Sequence, residues 1–181
     1  MIDIKKELSE NNIIMVIIPN DVYNKYSKLI IKQLKELNEP VCYLNSNMII
    51  DELRGFLKKD INTENFFIVD TVTKTVNLSP KDYNNVVYIT DPSALTEMNI
   101  KIKRVFDNNK INLLFFDSVS SLLVYRNESY VVRSIKDVIM HIRKNKGRGI
   151  FMALEEDIKK GKLKDVESLV DKVVRVGKNL S

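Results

Sequence analysis

Seven short apolar runs punctuate the chain: Ile13–Ile18, Val41–Leu44, Phe66–Val69, Val86–Ile89, Leu113–Phe116, Ile150–Leu154 and Val173–Val176. Most carry no polar alternation, which is the pattern of strands buried on both faces of a parallel sheet. The segments between them have a helical period instead. Val22, Tyr26, Leu29, Ile30, Leu34 and Leu37 form one stripe at spacings of three and four; Leu95, Met98, Ile102, Val105 and Phe106 form a second, and Val131, Ile135, Val138, Ile139 and Ile142 a third. Stripes of this kind pack helices onto a sheet. Strand and helix in regular alternation predict an α/β domain: three αβα layers, doubly wound, with a mostly parallel sheet.

The length of 181 residues, 44% of them hydrophobic, fills one well-buried domain. Residues 1–181 are read as that single domain, with a core from about 13 to 176. No repeat or proline-rich linker marks a boundary. The longest uncharged apolar stretch, Ile13–Pro19, is too short to span a bilayer, and Met1–Glu10 mixes charges of both signs without an apolar signal core. A cytoplasmic protein is expected. With one cysteine, Cys42, and one histidine, His141, neither an internal disulfide nor a Cys/His zinc site can be assembled. Cys42 reads as a small core residue and His141 as an ordinary helix residue.

In a doubly wound sheet, function gathers beyond the carboxyl ends of the strands, near the point where strand order reverses. Those positions are Pro19–Ser27, Asn45–Asn47, Asp70–Lys74, Thr90–Ser93, Asp117–Ser121 and Glu155–Asp157. The most specific is Leu113-Leu114-Phe115-Phe116-Asp117, followed by Ser118-Val119-Ser120-Ser121-Leu122-Leu123. A buried strand ending in aspartate is how P-loop ATPases aim a carboxylate at magnesium. Taken alone, the same aspartate reads equally well as a helix cap. Asp70, with Thr71 and Thr73 beside it, reads as a turn or helix cap; a phospho-receiver site would need an acidic pair after the first strand, and only Asp21 is near.

The segment Asp117–Leu123, the long helix after it, and Lys146-Gly147-Arg148-Gly149-Ile150-Phe151-Met152 together resemble the second half of RecA-superfamily ATPase domains of the KaiC-like type, common in archaea. Asp91–Ile100 is similar to the segment that opens the preceding helix in archaeal members. The resemblance spans about Ile13 to Val176 and implies a RecA-like P-loop NTPase fold, with the first strand central and the Asp117 strand close to it.

Such domains hold ATP on a G-x-x-x-x-G-K-[ST] loop directly after the first strand. Here that stretch is Pro19-Asn20-Asp21-Val22-Tyr23-Asn24-Lys25-Tyr26, which keeps the spacing and the lysine but neither glycine nor the hydroxyl residue. Only five glycines occur in the chain, against roughly a dozen at average usage of ~7%, and none precedes Gly55. Glycines let such a loop curl its N–H groups around phosphate. Pro19 has a fixed φ and no N–H, Asn24 occupies phosphate space, and Ser27 is one residue out of register for a magnesium ligand. Asn20 and Asp21 read as N-caps of the next helix, and Lys25 as a solvated lysine on its first turn.

Two further departures accompany the loop. The resemblance implies adjacent glutamates after the second strand to orient the attacking water, and Asn45-Ser46-Asn47 stand there, none of them a carboxylate base. It also implies a hairpin after the last strand carrying a lysine and an arginine to a neighbouring subunit; Arg175 and Lys178 are present, and the sequence stops at Ser181. The expectation is a degenerate, non-hydrolysing KaiC-like domain acting through a protein partner or as a homo-oligomer, with Lys25, Asp117 and Ser118 as a vestigial nucleotide site. No cofactor or metal is expected, and ATP with magnesium enters only if that site still binds. A divergent ATPase using Lys25 and Asp117 is the alternative. Nucleic-acid binding through the basic clusters Arg143–Arg148 and Lys159–Lys164 is a minor one: a net charge of +5 and the lack of interleaved aromatics favour solvated faces.

Overall fold

The structure, a computed structural model, describes residues 2–60 and 65–177. Each apolar run forms a strand: β1 Ile13–Ile18, β2 Val41–Asn45, β3 Phe66–Asp70, β4 Val86–Tyr88, β5 Leu113–Asp117, β6 Arg148–Leu154 and β7 Lys172–Arg175. They build one seven-stranded sheet in the order β4-β3-β2-β5-β6-β1-β7. Every neighbouring pair is parallel. Parallel neighbours cannot be joined by tight turns, so the connections cross the sheet faces as helices.

The period of two in each strand explains the unbroken apolar runs. Ile14, Val16 and Ile18 of β1 enter the core beneath α1 (Ile4–Glu10), α2 (Tyr23–Glu36) and α3 (Ile50–Asp60). Ile13, Met15 and Ile17 enter the opposite core, beneath α5 (Leu95–Asn109), α6 (Val119–Leu122), α7 (Glu128–Lys144) and α9 (Lys164–Glu167). Three layers result, and the sheet is wholly rather than mostly parallel. The short α4 (Thr73–Val76) and α8 (Glu155–Lys159) follow β3 and β6 directly.

The three apolar stripes lie on α2, α5 and α7 as their spacing predicts. α1 is an addition to that reading. Asp3 caps it by accepting a hydrogen bond from the Lys6 N–H at 3.0 Å, and Ile4 and Leu8, one turn apart, are buried. Winding reverses within the chain: β2, β3 and β4 step towards one edge, after which β5, β6 and finally β7 fill in on either side of β1. The crevice at the strand ends is where this geometry collects polar side chains.

Candidate functional site

Asn45, Asp70 and Asp117 end three adjacent strands in matched register, Asn45 opposite both aspartates. All three are almost wholly buried. Asp117 shares the parity of Leu113 and Phe115, which face the α2 layer, so its carboxylate enters that side of the sheet.

Four neutral donors meet it there. Oδ1 accepts hydrogen bonds from the Tyr23 hydroxyl and from Asn47 Nδ2, the latter at 2.7 Å. Oδ2 accepts from the hydroxyls of Ser27 and Tyr43, each at 2.9 Å. Burial raises the carboxyl above its ordinary range, against the downward pull of the four hydrogen bonds. Burial also raises the Tyr23 and Tyr43 phenols, and the adjacent Asp117 charge raises them further, so both stay protonated as donors.

Tyr23 and Ser27 are four residues apart on α2 and therefore share a face. Both belong to the stretch after β1. That stretch does not form an open loop: Asn20–Val22 make a single 3-10 turn behind Pro19, which runs directly into α2. Asn20 and Asp21 are thus inside the turn rather than capping the helix. Val22 holds the cap position of α2, with no side-chain capping bond. Lys25 is exposed on the first turn and makes no hydrogen bond or ion pair among the described residues. Asp117 and Ser118 are neighbours in the chain, and no hydrogen bond or ion pair joins the Lys25 side chain to either.

Ser118 joins a second polar group. Its N–H donates to Ser46 Oγ at 2.8 Å and its carbonyl accepts from Ser121 Oγ at 2.7 Å, while the Ser46 hydroxyl donates to the Asp117 carbonyl at 2.7 Å. The peptide between Asp117 and Ser118 is cis. These bonds stitch the β2 and β5 ends together just outside the carboxylate. Asp70 is consumed as a cap: Oδ1 accepts from the N–H groups of Val72 and Thr73 at 3.0 and 2.7 Å, and Oδ2 from Thr73 Oγ1 and Asn45 Nδ2 at 3.0 and 2.8 Å. Beside the site lies a cavity of about 240 Å³ lined in part by Tyr23, Asn47, Ser118, Ser121 and Lys162.

The remaining sequence candidates sit apart. Cys42 is fully buried in β2, and burial pushes its thiol up. His141 lies 3.4 Å from Asp107 and against the Phe106 ring on the outside of the sheet. Arg175 pairs with Glu167, and Lys178 lies outside the described residues. Among the described residues no three His, Cys, Asp or Glu side chains converge as a metal site would require. Tyr23, Ser27 and Asn47 fall within the strand-end stretches that the sequence singles out, but their role as donors to Asp117, and that of Tyr43 inside β2, is what sequence reasoning missed. The four-residue spacing of Tyr23 and Ser27 is the one further signal in the sequence.

No protein-family model matches the sequence, and no curated protein does. Among solved structures, a crystal structure of a KaiC-like protein from the hyperthermophilic archaeon Pyrococcus horikoshii superposes with a TM-score of 0.63 at 14% identity, over 94% of this chain and 75% of that one. The fold is KaiC-like. The three-layer α/β architecture is the one expected from Asp117–Leu123 and the segments around it, except that β1 stands beside the edge strand β7 rather than at the centre of the sheet. An identity of 14% establishes architecture only. Within the KaiC-like frame, Asp117 ends a strand one removed from β1, with β6 between them.

Proposed function

We propose that this chain is a non-hydrolysing KaiC-like domain that works by contact with protein partners, as a regulatory or assembly component. One observation carries the reading. Both oxygens of the strand-end carboxylate are taken by four protein donors, two of which, Tyr23 and Ser27, come from the element that would otherwise cradle phosphate.

The residues do not fit magnesium nucleotide. A second-shell carboxylate must accept from metal-bound water, and Asp117 already accepts four hydrogen bonds. The phosphate loop needs successive N–H groups turned inward; the 3-10 turn begins behind Pro19, which has none. The loop position of the magnesium hydroxyl is Tyr26, whose own hydroxyl donates to the Gly177 carbonyl at 3.1 Å. A cytoplasmic setting belongs to the same reading; no described helix is long and apolar enough to cross a membrane.

Thermal unfolding with and without millimolar Mg-ATP or Mg-ADP tests this directly. A ligand at about 100 times its Kd adds ~2.7 kcal/mol to the native state, a shift that is easily read. We expect no rise in Tm and no phosphate release above buffer. A rise accompanied by hydrolysis, both lost in Lys25→Ala and Asp117→Ala, would replace the proposal with a divergent ATPase.

A further inference from the structure

A groove of about 550 Å³ lies away from the strand ends, between α5 and α7. Its floor is a closed polar pair. Ser134 Oγ donates to Asn99 Oδ1 at 2.9 Å, and Asn99 Nδ2 donates to Asp137 Oδ2 at 3.1 Å. Asp137 also receives Lys103 Nζ at 2.7 Å, and these bonds hold its carboxyl below the usual range.

The charge balance of the groove is therefore uneven. Asp137 is answered twice, by Lys103 and Asn99. Arg133 is exposed and makes no hydrogen bond or ion pair among the described residues. Beside it stand two apolar surfaces that water does not favour, Tyr130 at 58% exposure and Ile100 at 46%. A guanidinium, a tyrosine ring and an aliphatic pad around an open cleft are the residue types that dominate protein–protein binding energy. A groove between two adjacent helices is the kind of surface on which an amphipathic helix lays its apolar face.

We propose that the α5–α7 groove docks an acidic amphipathic helix from a partner protein, its carboxylates on Arg133 and Lys103 and its apolar residues on Tyr130 and Ile100. The proposal rests on the partner-binding reading above and names the partner's chemistry. It does not involve Asp117. Arg133 supplies bidentate geometry for a carboxylate, and Lys103 can share its ammonium between Asp137 and an incoming acid. The fixed Asn99–Ser134 floor needs no rearrangement to receive the ligand, because its own hydrogen bonds are already made.

The test is a titration of the ¹⁵N-labelled full chain with a synthetic helical peptide of about four turns, glutamates along one face and leucine and phenylalanine on the other. A lysine-for-glutamate version and a single-stranded DNA oligonucleotide serve as competitors. Saturable amide shifts confined to α5 and α7 are expected, with affinity falling roughly tenfold in Arg133→Glu and in Tyr130→Ala. Both side chains are exposed, and unchanged Tm values confirm that the variants fold. Absence of shifts, shifts elsewhere, equal binding of the lysine peptide, or displacement by DNA would each overturn the proposal. Self-association in sedimentation that Arg133→Glu abolishes would overturn it too, in favour of a second copy as the occupant. A silent groove together with silence towards Mg-ATP would leave the non-hydrolysing reading standing and remove only this one.

Discussion

Asp117 is a buried acid whose every partner is neutral, and that sets how it responds to pH. Its carboxyl is raised above the unfolded value by burial, so between the two values the folded state holds more proton than the unfolded one. Its contribution to stability is fully present below the unfolded value and is lost as pH rises through the folded one. Asp117→Asn keeps the size and removes the charge; two of the hydroxyl donors can rotate to accept from its amide. The stability of the wild type minus that of Asp117→Asn is expected to fall as pH increases above the unfolded carboxyl value of about 4, with a slope no steeper than about 1.4 kcal/mol per unit. Urea midpoints at each pH measure it; a flat difference, or one that grows with pH, would refute the assignment. The acid itself was legible, because four apolar residues before it fix a buried strand. Its cage was not: Tyr23, Ser27, Tyr43 and Asn47 lie 94, 90, 74 and 70 residues away and meet it only once β1, β2 and β5 are in one sheet. Ser27 shows the limit best. Its position is one residue out of register for a metal ligand, and its hydroxyl serves the carboxylate instead.

At the scale of elements, the strands were readable because both faces of each are buried and their runs lack polar alternation. Their ends were harder to place. β2, β3 and β5 each extend one residue into a polar side chain, Asn45, Asp70 and Asp117, whose hydrogen bonds go to residues outside the strand that carries it. α1 escaped notice because it has only two turns, with Ile4 and Leu8 as its apolar signal among five charged residues of Asp3–Glu10. The scarcity of glycine has a local meaning here as well. At Gly149, where α7 returns to β6, an added Cβ would lie 2.9 Å from the Phe151 ring and 3.2 Å from Ile142 Cδ1. At Gly55, inside α3, it would meet nothing within 4 Å. Gly149→Ala is expected to lose about 1–3 kcal/mol through overpacking, and Gly55→Ala to gain about 0.5–1 kcal/mol through helix propensity. Equal effects in chemical denaturation would contradict the packing described at the α7–β6 joint.

Across the whole molecule, the alternation of strand and helix specified the three-layer architecture, while the distribution of charge emerged only with the fold. The net charge is +5, yet both basic clusters are partly neutralised by acids distant in sequence or a turn away. Arg143 pairs with Asp171 at 2.6 Å and Arg148 with Glu39; Lys159 pairs with Glu155 at 2.8 Å and Lys162 with Asp157 at 3.8 Å. Glu39 and Asp171 lie far from the clusters they answer, which is why a count along the chain overstates the positive field. Exposed pairs of this kind add little stability, but they remove charges that a nucleic acid would need. Non-specific DNA affinity comes from counterion release by unpaired cations and falls steeply with salt. Fluorescence anisotropy with single-stranded and duplex DNA is therefore expected to show no binding tighter than about 10⁻⁴ M at 0.15 M salt, with only a shallow salt dependence below it. Micromolar binding with a steep slope would mean that the paired arginines and lysines release their acids for phosphate, and would make a nucleic-acid role the better account of the molecule.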